Sequence, residues 1–193
     1  MSSRIHLIAG LANPGEKYAD TRHNAGAWFV EQIVAEANIS LRREAKFHGR
    51  HALTHLHGQS CHLLIPSTFM NLSGQAVGAC MNYAKLEPEN VLVAHDEVDL
   101  PVGVVRLKFD GGDGGHNGVK DVIHHLHTKK FYRLRIGIGR PTHGEVVDYV
   151  LEKPSKTDRK IINTALEAVY AILPLIIEGD MQKAMHQLHS QPQ

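Results

Sequence analysis

The feature that most restricts this chain is an alternation of short apolar runs with segments of helical period. Residues 5–11 are mostly apolar and stop at Ala12-Asn13-Pro14-Gly15. A run that short reads as a buried strand, and the following turn is forced because Pro fixes φ while Gly admits positive φ. Over residues 25–37 the spacing becomes helical. Phe29, Ile33 and Ala37, with Val30 and Val34, share one face, and Asn24 is placed to cap it. Residues 47–56 and 61–66 predict paired strands around a turn at 57–60, and residues 75–84 predict a second helix. Another buried strand over 91–95 runs into Asp96-Glu97-Val98-Asp99.

The second half continues the alternation. Residues 104–109 alternate apolar and basic side chains, as a half-exposed strand does. A glycine-rich loop over 110–118, a short helix over 119–127 and a strand over 134–139 follow. Ser155 and Asp158 have the spacing of a helix start. That helix should break at Pro174, which lacks an N–H, and a last amphipathic piece covers 181–188. Strands mixed with helices throughout predict one α/β domain over residues 1–193, with a C-terminal helical region from about 155. The hairpin at 47–66 excludes an all-parallel sheet. The expected fold is a mixed, mostly parallel twisted sheet with helices on both faces.

Composition narrows the functional classes. The 193 residues are 42% hydrophobic, yet no apolar run reaches the ~20 residues of a membrane helix. The first ten residues do not resemble a secretion signal. Cys61 and Cys80 are the only cysteines, which excludes a disulfide framework and suits a reducing cytoplasm. Net charge is only +1, but residues 103–140 carry eight Lys or Arg against three Asp; charge alone favours a solvated surface whose counter-charges folding brings near, with a basic face there as the alternative. His51, His55 and His57 fall on one side of a strand, where His-x-His is a possible metal pair, but the polar outer face of a hairpin is the better explanation. No Gly-x-Ser-x-Gly elbow and no His-Glu-x-x-His helix occurs. Gly10 to Gly15 has P-loop glycine spacing, but Glu16 replaces the lysine. The 112–118 glycines miss the dinucleotide spacing.

Polar residues instead gather at element ends: Asn13 after the first strand, His23 and Asn24 before the first helix, Asn71 at the second helix, His95 and Asp96 at a strand end, His116 and Asn117 closing the glycine loop. Ligands in α/β proteins sit outside the carboxyl ends of strands. A His, an Asp and several Asn amides suit hydrolysis by water. The imidazole takes a proton, the carboxylate supports it, and the amides bind a carbonyl. An RNA-binding module built on the basic stretch is the non-enzymatic alternative, though no aromatic platform accompanies it.

Several of these stretches are longer motifs. They are Gly10-Leu-Ala-Asn-Pro-Gly15, Thr21-Arg-His-Asn-Ala-Gly26, Pro66-Ser-Thr-Phe-Met-Asn-Leu-Ser-Gly74, His95-Asp-Glu-Val-Asp-Leu-Pro101, Gly114-Gly-His-Asn-Gly118 and Arg133-Leu-Arg-Ile-Gly-Ile-Gly-Arg-Pro141. In order and spacing the chain resembles the bacterial peptidyl-tRNA hydrolases. The resemblance implies a monomeric, cytoplasmic esterase with no cofactor and no metal, which cuts the ester between a peptide and the tRNA 3′ ribose. It implies His23 as the catalytic base, Asp96 as its supporting carboxylate and Asn13 as the residue that separates blocked from free aminoacyl groups. Tyr18, Phe69, Met70, Asn71, His116 and Asn117 would contact the substrate around the 3′ end. Lys108 and Arg135 would clamp the 5′-phosphate of the acceptor stem. Asp113 departs from the family, which commonly has an uncharged residue or His before Gly-Gly-His-Asn.

Overall fold

The computed structural model describes residues 3–190. Seven strands, β1 (Leu7–Gly10), β2 (Arg42–Glu44), β3 (Gly49–Leu56), β4 (Gln59–Pro66), β5 (Val91–Glu97), β6 (Val105–Phe109) and β7 (Tyr132–Gly137), form one sheet in the order β2-β3-β4-β1-β5-β7-β6. The central pairs β4–β1, β1–β5 and β5–β7 are parallel, while β2–β3, β3–β4 and β6–β7 are antiparallel. Only β3 and β6 run against the rest, so the sheet is mixed and mostly parallel. Eight helices accompany it among the described residues: α1 (Glu16–Ala19), α2 (Ala25–Glu36), α3 (Ser73–Tyr83), α4 (Asn117–Leu126), α5 (Val146–Val150), α6 (Lys156–Ala171), α7 (Leu173–Glu178) and α8 (Met181–His189).

Strand alternation splits the core in two. Ile8, Leu63, Leu92 and Ala94 face α2 and the C-terminal helices, where Phe29, Ile33, Leu166 and Ile176 complete a buried cluster. Leu7, Ala9, Leu64, Val91 and Val93 face α3 and α4, packing on Val77, Cys80, Val119 and Val122. Both faces of the central strands are therefore apolar, as expected for parallel strands covered on two sides. Beyond β5 the second face changes character. Tyr132, Leu134 and Ile136 of β7 join the first core, whereas Arg133 and Arg135 point the other way, beside Arg106 and Lys108 of β6.

Several boundaries differ from the sequence reading for local reasons. The hairpin turn is tighter than residues 57–60: only His57 (φ 48°) and Gly58 (φ 79°) lie outside the strands, both left-handed. That pair gives the two-residue turn whose twist matches the flanking strands. The short helix starts at Asn117, two residues early, because the His116 ring accepts from the Gly118 and Val119 N–H groups and caps it. Asn71 lies in a 3₁₀ turn, Met70–Leu72, ahead of α3. Between the turn at 12–15 and α2 the chain also forms the one-turn helix α1. The helical tail breaks where expected, with Pro174 in the first turn of α7.

The site-bearing elements are held together by backbone contact at two glycines. A Cβ on Gly26, in the first turn of α2, would lie 2.1 Å from the Ala94 carbonyl oxygen of β5. A Cβ on Gly10 would lie 2.3 Å from the Gly26 carbonyl oxygen. No side chain fits there, so α2 rests directly on β1 and β5. Gly26→Ala should cost about 3 kcal/mol of stability, the upper part of the overpacking range. The control is Gly78→Ala in α3, where the nearest atom to a new Cβ is 3.5 Å away. That change should gain about 0.5–1 kcal/mol from helix propensity. Urea midpoints for the two variants should therefore move in opposite directions.

Candidate active site

The C-terminal ends of β1, β4 and β5 open onto one side of the sheet, and the polar residues collect there. His23 lies in a 3₁₀ turn, Arg22–Asn24, that leads into α2. Asp96 is the penultimate residue of β5 and is 3% exposed. The His23 Nδ1 lies 3.0 Å from both carboxylate oxygens. On the other side, His116 Nε2 lies 2.7 Å from Asp96 Oδ1. The His116 Nδ1 accepts the α4 backbone N–H groups, so its proton is on Nε2 and is donated to Asp96. The same argument applies to His23: the carboxylate only accepts, so Nδ1 carries the proton and Nε2 keeps a free lone pair.

The electrostatics follow from this pairing. Burial opposes charge on Asp96, but His116 and His23 outweigh it and hold the carboxyl below the usual carboxylate range. Burial likewise disfavours protonated His23, yet the charge and hydrogen bond of Asp96 prevail and raise its pKa above the ordinary 6.5. His95 is fully buried behind them. Desolvation, then His116, pushes its pKa down to about 3. It donates Nδ1–H to the Asp96 carbonyl at 2.7 Å, and its Nε2 has no hydrogen-bond partner among the described residues. The donor atoms of His23, Asp96 and His116 lie within 4.8 Å of one another, which is metal-site spacing. Here the Asp96 carboxylate already accepts from both rings.

A cleft of about 310 Å³ runs past this cluster, lined by His23, Asp96, Gly115, His116, Asn117 and Arg140, with Val147 and Leu151 on its apolar side. Asn13 sits on the other side of the His23 turn. Its peptide is gripped at two points by Asn24, whose Oδ1 accepts the Asn13 N–H at 2.9 Å and whose Nδ2 donates to the Asn13 carbonyl at 3.0 Å. The Asn13 Oδ1 accepts the Met70 N–H at 2.7 Å, which fixes the amide orientation and leaves Nδ2 as its unused donor. Met70 enters the site through its backbone. Its side chain is only 4% exposed and packs in the second core, with the sulfur against Gly118. Asn71 beside it is exposed. Tyr18 and Phe69 meet edge to face at 6.5 Å, with Phe69 56% exposed.

The model of the family described as Peptidyl-tRNA hydrolase matches residues 7–193. Among curated proteins, the peptidyl-tRNA hydrolase of Shewanella sediminis is 51% identical and that of Haemophilus influenzae 50%, each over 97% of this chain and 98% of the relative. The crystal structure of the Acinetobacter baumannii peptidyl-tRNA hydrolase superposes with a TM-score of 0.94 at 42% identity, covering 98% of this chain and 97% of that one. The chain belongs to the peptidyl-tRNA hydrolase family. Its activity is peptidyl-tRNA hydrolysis, the cleavage of an ester bond. The seven-stranded mixed sheet is the fold of this family's solved members. No helix among the described residues is long and apolar enough to cross a membrane.

In this peptidyl-tRNA hydrolase the basic stretch brings four cations to one side of two paired strands, where folding also supplies partners for two of them. Arg106 and Lys108 of β6 stand opposite Arg135 and Arg133 of β7. The four are not equivalent. Arg133 is 3% exposed and donates to the carbonyls of Gly111 and Gly112, tying down the glycine loop. Arg135 pairs with Glu97 at 3.0 Å. Lys108 is exposed and has no ion pair among the described residues. Asp113 accepts the Gly115 N–H and faces Arg133, so its charge is absorbed within the loop. Arg133 and Asn24 are the residues that sequence reasoning undervalued. Arg133 was counted only as charge, and Asn24 takes the N-cap position of α2 without capping it. The adjacency of Asn24 to His23 was the available signal.

Proposed function

We propose that His23 is the general base of this hydrolase and that water attacks the ester directly. The observation that carries the reading is the His23–Asp96 pair, 3.0 Å apart on a buried carboxylate at the wall of a cleft. Water gives its proton to the free Nε2 as its oxygen bonds to the ester carbonyl carbon. When the tetrahedral intermediate collapses, the bond to the 3′ oxygen breaks and the imidazolium returns that proton to the leaving ribose. Asp96 stabilises the transient imidazolium and holds its tautomer. His116 supports Asp96 and, with Asn117, forms the glycine-loop wall of the cleft. The site is assembled from one chain, which supports action as a monomer, and a tRNA substrate supports a cytoplasmic location.

The wider reading assigns the 3′ end to Tyr18, Phe69, Asn71, Asn117 and the Met70 backbone, and the 5′-phosphate to Lys108 with Arg135. Discrimination against free aminoacyl-tRNA falls to Asn13. Its Oδ1 is occupied by the Met70 N–H, so it offers Nδ2 as a donor. A peptidyl group brings a carbonyl acceptor to that donor. A free aminoacyl group brings an ammonium, which has only donors. Leaving such groups unpaired costs ~1–3 kcal/mol, or roughly ten- to a hundredfold in selectivity.

Three measurements test these assignments. Activity requires neutral His23, so the wild-type rate should fall as pH drops through a pKa above 6.5. Asp96→Asn removes both influences that raise that pKa and leaves the burial that lowers it. The acid limb should then move below pH 6.5 while the plateau falls on the order of 10²–10⁴-fold. An unmoved limb would make Asp96 merely structural, and an acyl-enzyme trapped in an acid quench would exclude direct attack by water. Asn13→Ala should narrow the rate gap between N-acetyl-aminoacyl-tRNA and free aminoacyl-tRNA by about tenfold or more. An unchanged ratio would leave Asn13 as a loop anchor. Lys108→Glu should raise KM for full peptidyl-tRNA and lower its salt dependence by about one unit of log–log slope. The same variant should handle a short peptidyl-nucleotide ester normally. Equal losses on both substrates would place Lys108 in the ester site.

A further inference from the structure

On the α3 face of the hairpin, three side chains outside the active site converge. His51 of β3 pairs in register with Leu64 of β4, and His62 lies two residues from Leu64 on the same face. The two imidazoles are therefore diagonal neighbours, a separation that long side chains can bridge. His51 Nε2 and His62 Nδ1 are 2.8 Å apart. Cys80 of α3 is buried directly over this part of the sheet, in the same core cluster as Leu64 and Phe47. One donor atom from each of His51, His62 and Cys80 lies within 4.8 Å of the others. The Phe47 ring meets His51 edge-on at 4.7 Å and backs the cluster with an apolar wall. His51 and His62 lie on β3 and β4, with β1 between β4 and the Asp96 strand β5, and none of the three residues lines the His23–Asp96 cleft.

We propose that His51, His62 and Cys80 form a binding site for a borderline-soft divalent transition metal of the zinc class, clipping the β3–β4 hairpin to α3. Two imidazoles and one thiolate supply three of the four tetrahedral positions, and solvent fills the fourth, since both histidines are only half-buried. Around a tetrahedral zinc, N/S donors lie about 3.3–3.6 Å apart. Binding thus requires the imidazoles to part by about half an ångström and the thiol to approach. The ligand set excludes calcium and magnesium, which take oxygen donors. Charged neighbours are mixed: Glu44 favours and Lys46 opposes positive charge at His51, while Lys46 favours the Cys80 thiolate.

The proton balance is specific. Without metal, one imidazole donates its N–H to the other. On binding, that donor moves its proton to its other ring nitrogen, so both rings turn lone pairs to the metal with no net release. Burial has already pushed His51 down to about 4 and lowered His62, so both rings are neutral near pH 7. Burial holds the Cys80 thiol up at about 12, so Cys80 enters as a thiol and its proton leaves to solvent as the metal–sulfur bond forms. One proton should appear per metal bound.

The test is titration of the chelator-treated full chain with Co²⁺, a spectroscopic probe that takes zinc geometry. The expected result is one site with a thiolate-to-cobalt charge-transfer band, release of one proton, loss of the band on adding Zn²⁺, and a raised Tm with either metal. Cys80→Ala should abolish the band. His62→Gln, on a half-exposed strand position, should weaken binding on the order of 100-fold while leaving metal-free peptidyl-tRNA hydrolysis unchanged. Absence of the band at stoichiometric Co²⁺ would overturn the proposal. So would a band that survives Cys80→Ala, which would belong to Cys61, or an affinity indifferent to His62→Gln. Binding at surface histidines alone would show no thiolate band and would count against it equally.

Discussion

Asp96 is a carboxylate buried at the end of a central strand, with an imidazole on either side. An uncompensated charge in that position would cost several kcal/mol, and removing one partner of such a buried pair typically costs about 3–5 kcal/mol. The surrounding structure can be traced from this requirement. His23 must arrive from the start of α2, which brings α2 into backbone contact with β5 at Gly26. His116 must arrive from the glycine loop, with its second nitrogen pinned by the first turn of α4. The loop is in turn held by Arg133, whose guanidinium binds two of its carbonyls. A single buried negative charge thus sets the positions of three segments that are distant in sequence.

The neutral side of the site is built by a different device. Asn24 and Asn13 lock two loops with amide–peptide hydrogen bonds, and the Met70 N–H closes the chain. All three bonds are internal and of normal length or shorter, so the unused Nδ2 donor of Asn13 is held in place. Preorganised donors lose little on binding, which is why fixed amides serve well where a ligand is to be read rather than moved.

The fold was largely legible because its signals are local. Apolar runs at 91–95 and 134–139 and the helical period at 25–37 do not depend on distant partners, and the breaker at Pro174 acts on its own residue. The missed elements are those whose reasons are tertiary. Strand β2 is Arg42–Glu44, exposed and charged, and exists because β3 offers it an edge. The start of α4 depends on a histidine cap that no propensity assigns. In the site, His23, Asp96 and Asn13 were legible as polar residues at element ends, and the family motifs sharpened them. Asn24 was legible in place but read as a cap, and Arg133 only as charge, since what each binds is a backbone group brought near by the fold. The histidines show the same limit: sequence puts His51, His55 and His57 on one side of a strand, but His57 falls in the turn and His51 meets His62 of the next strand.

The placement of charge also bears on how affinity and selectivity divide. Phosphate contacts supply binding that is indifferent to what is esterified at the 3′ end, because every tRNA presents the same backbone charge. On the proposed reading, the basic face of β6 and β7 therefore binds substrate and non-substrate alike, and it cannot protect aminoacyl-tRNA. More basic charge near the ester would slow release of both without separating them. Selectivity has to come from groups that distinguish an amide carbonyl from an ammonium, and a cationic residue there would repel the ammonium but would also titrate or seek phosphate. A neutral amide does neither. If Asn13 reads the acylated end as proposed, that logic suits an amide rather than Lys or His in the loop after β1. On the same reading it suits a basic face set on edge strand β6 and its neighbour β7, away from the Asn13 loop that follows β1.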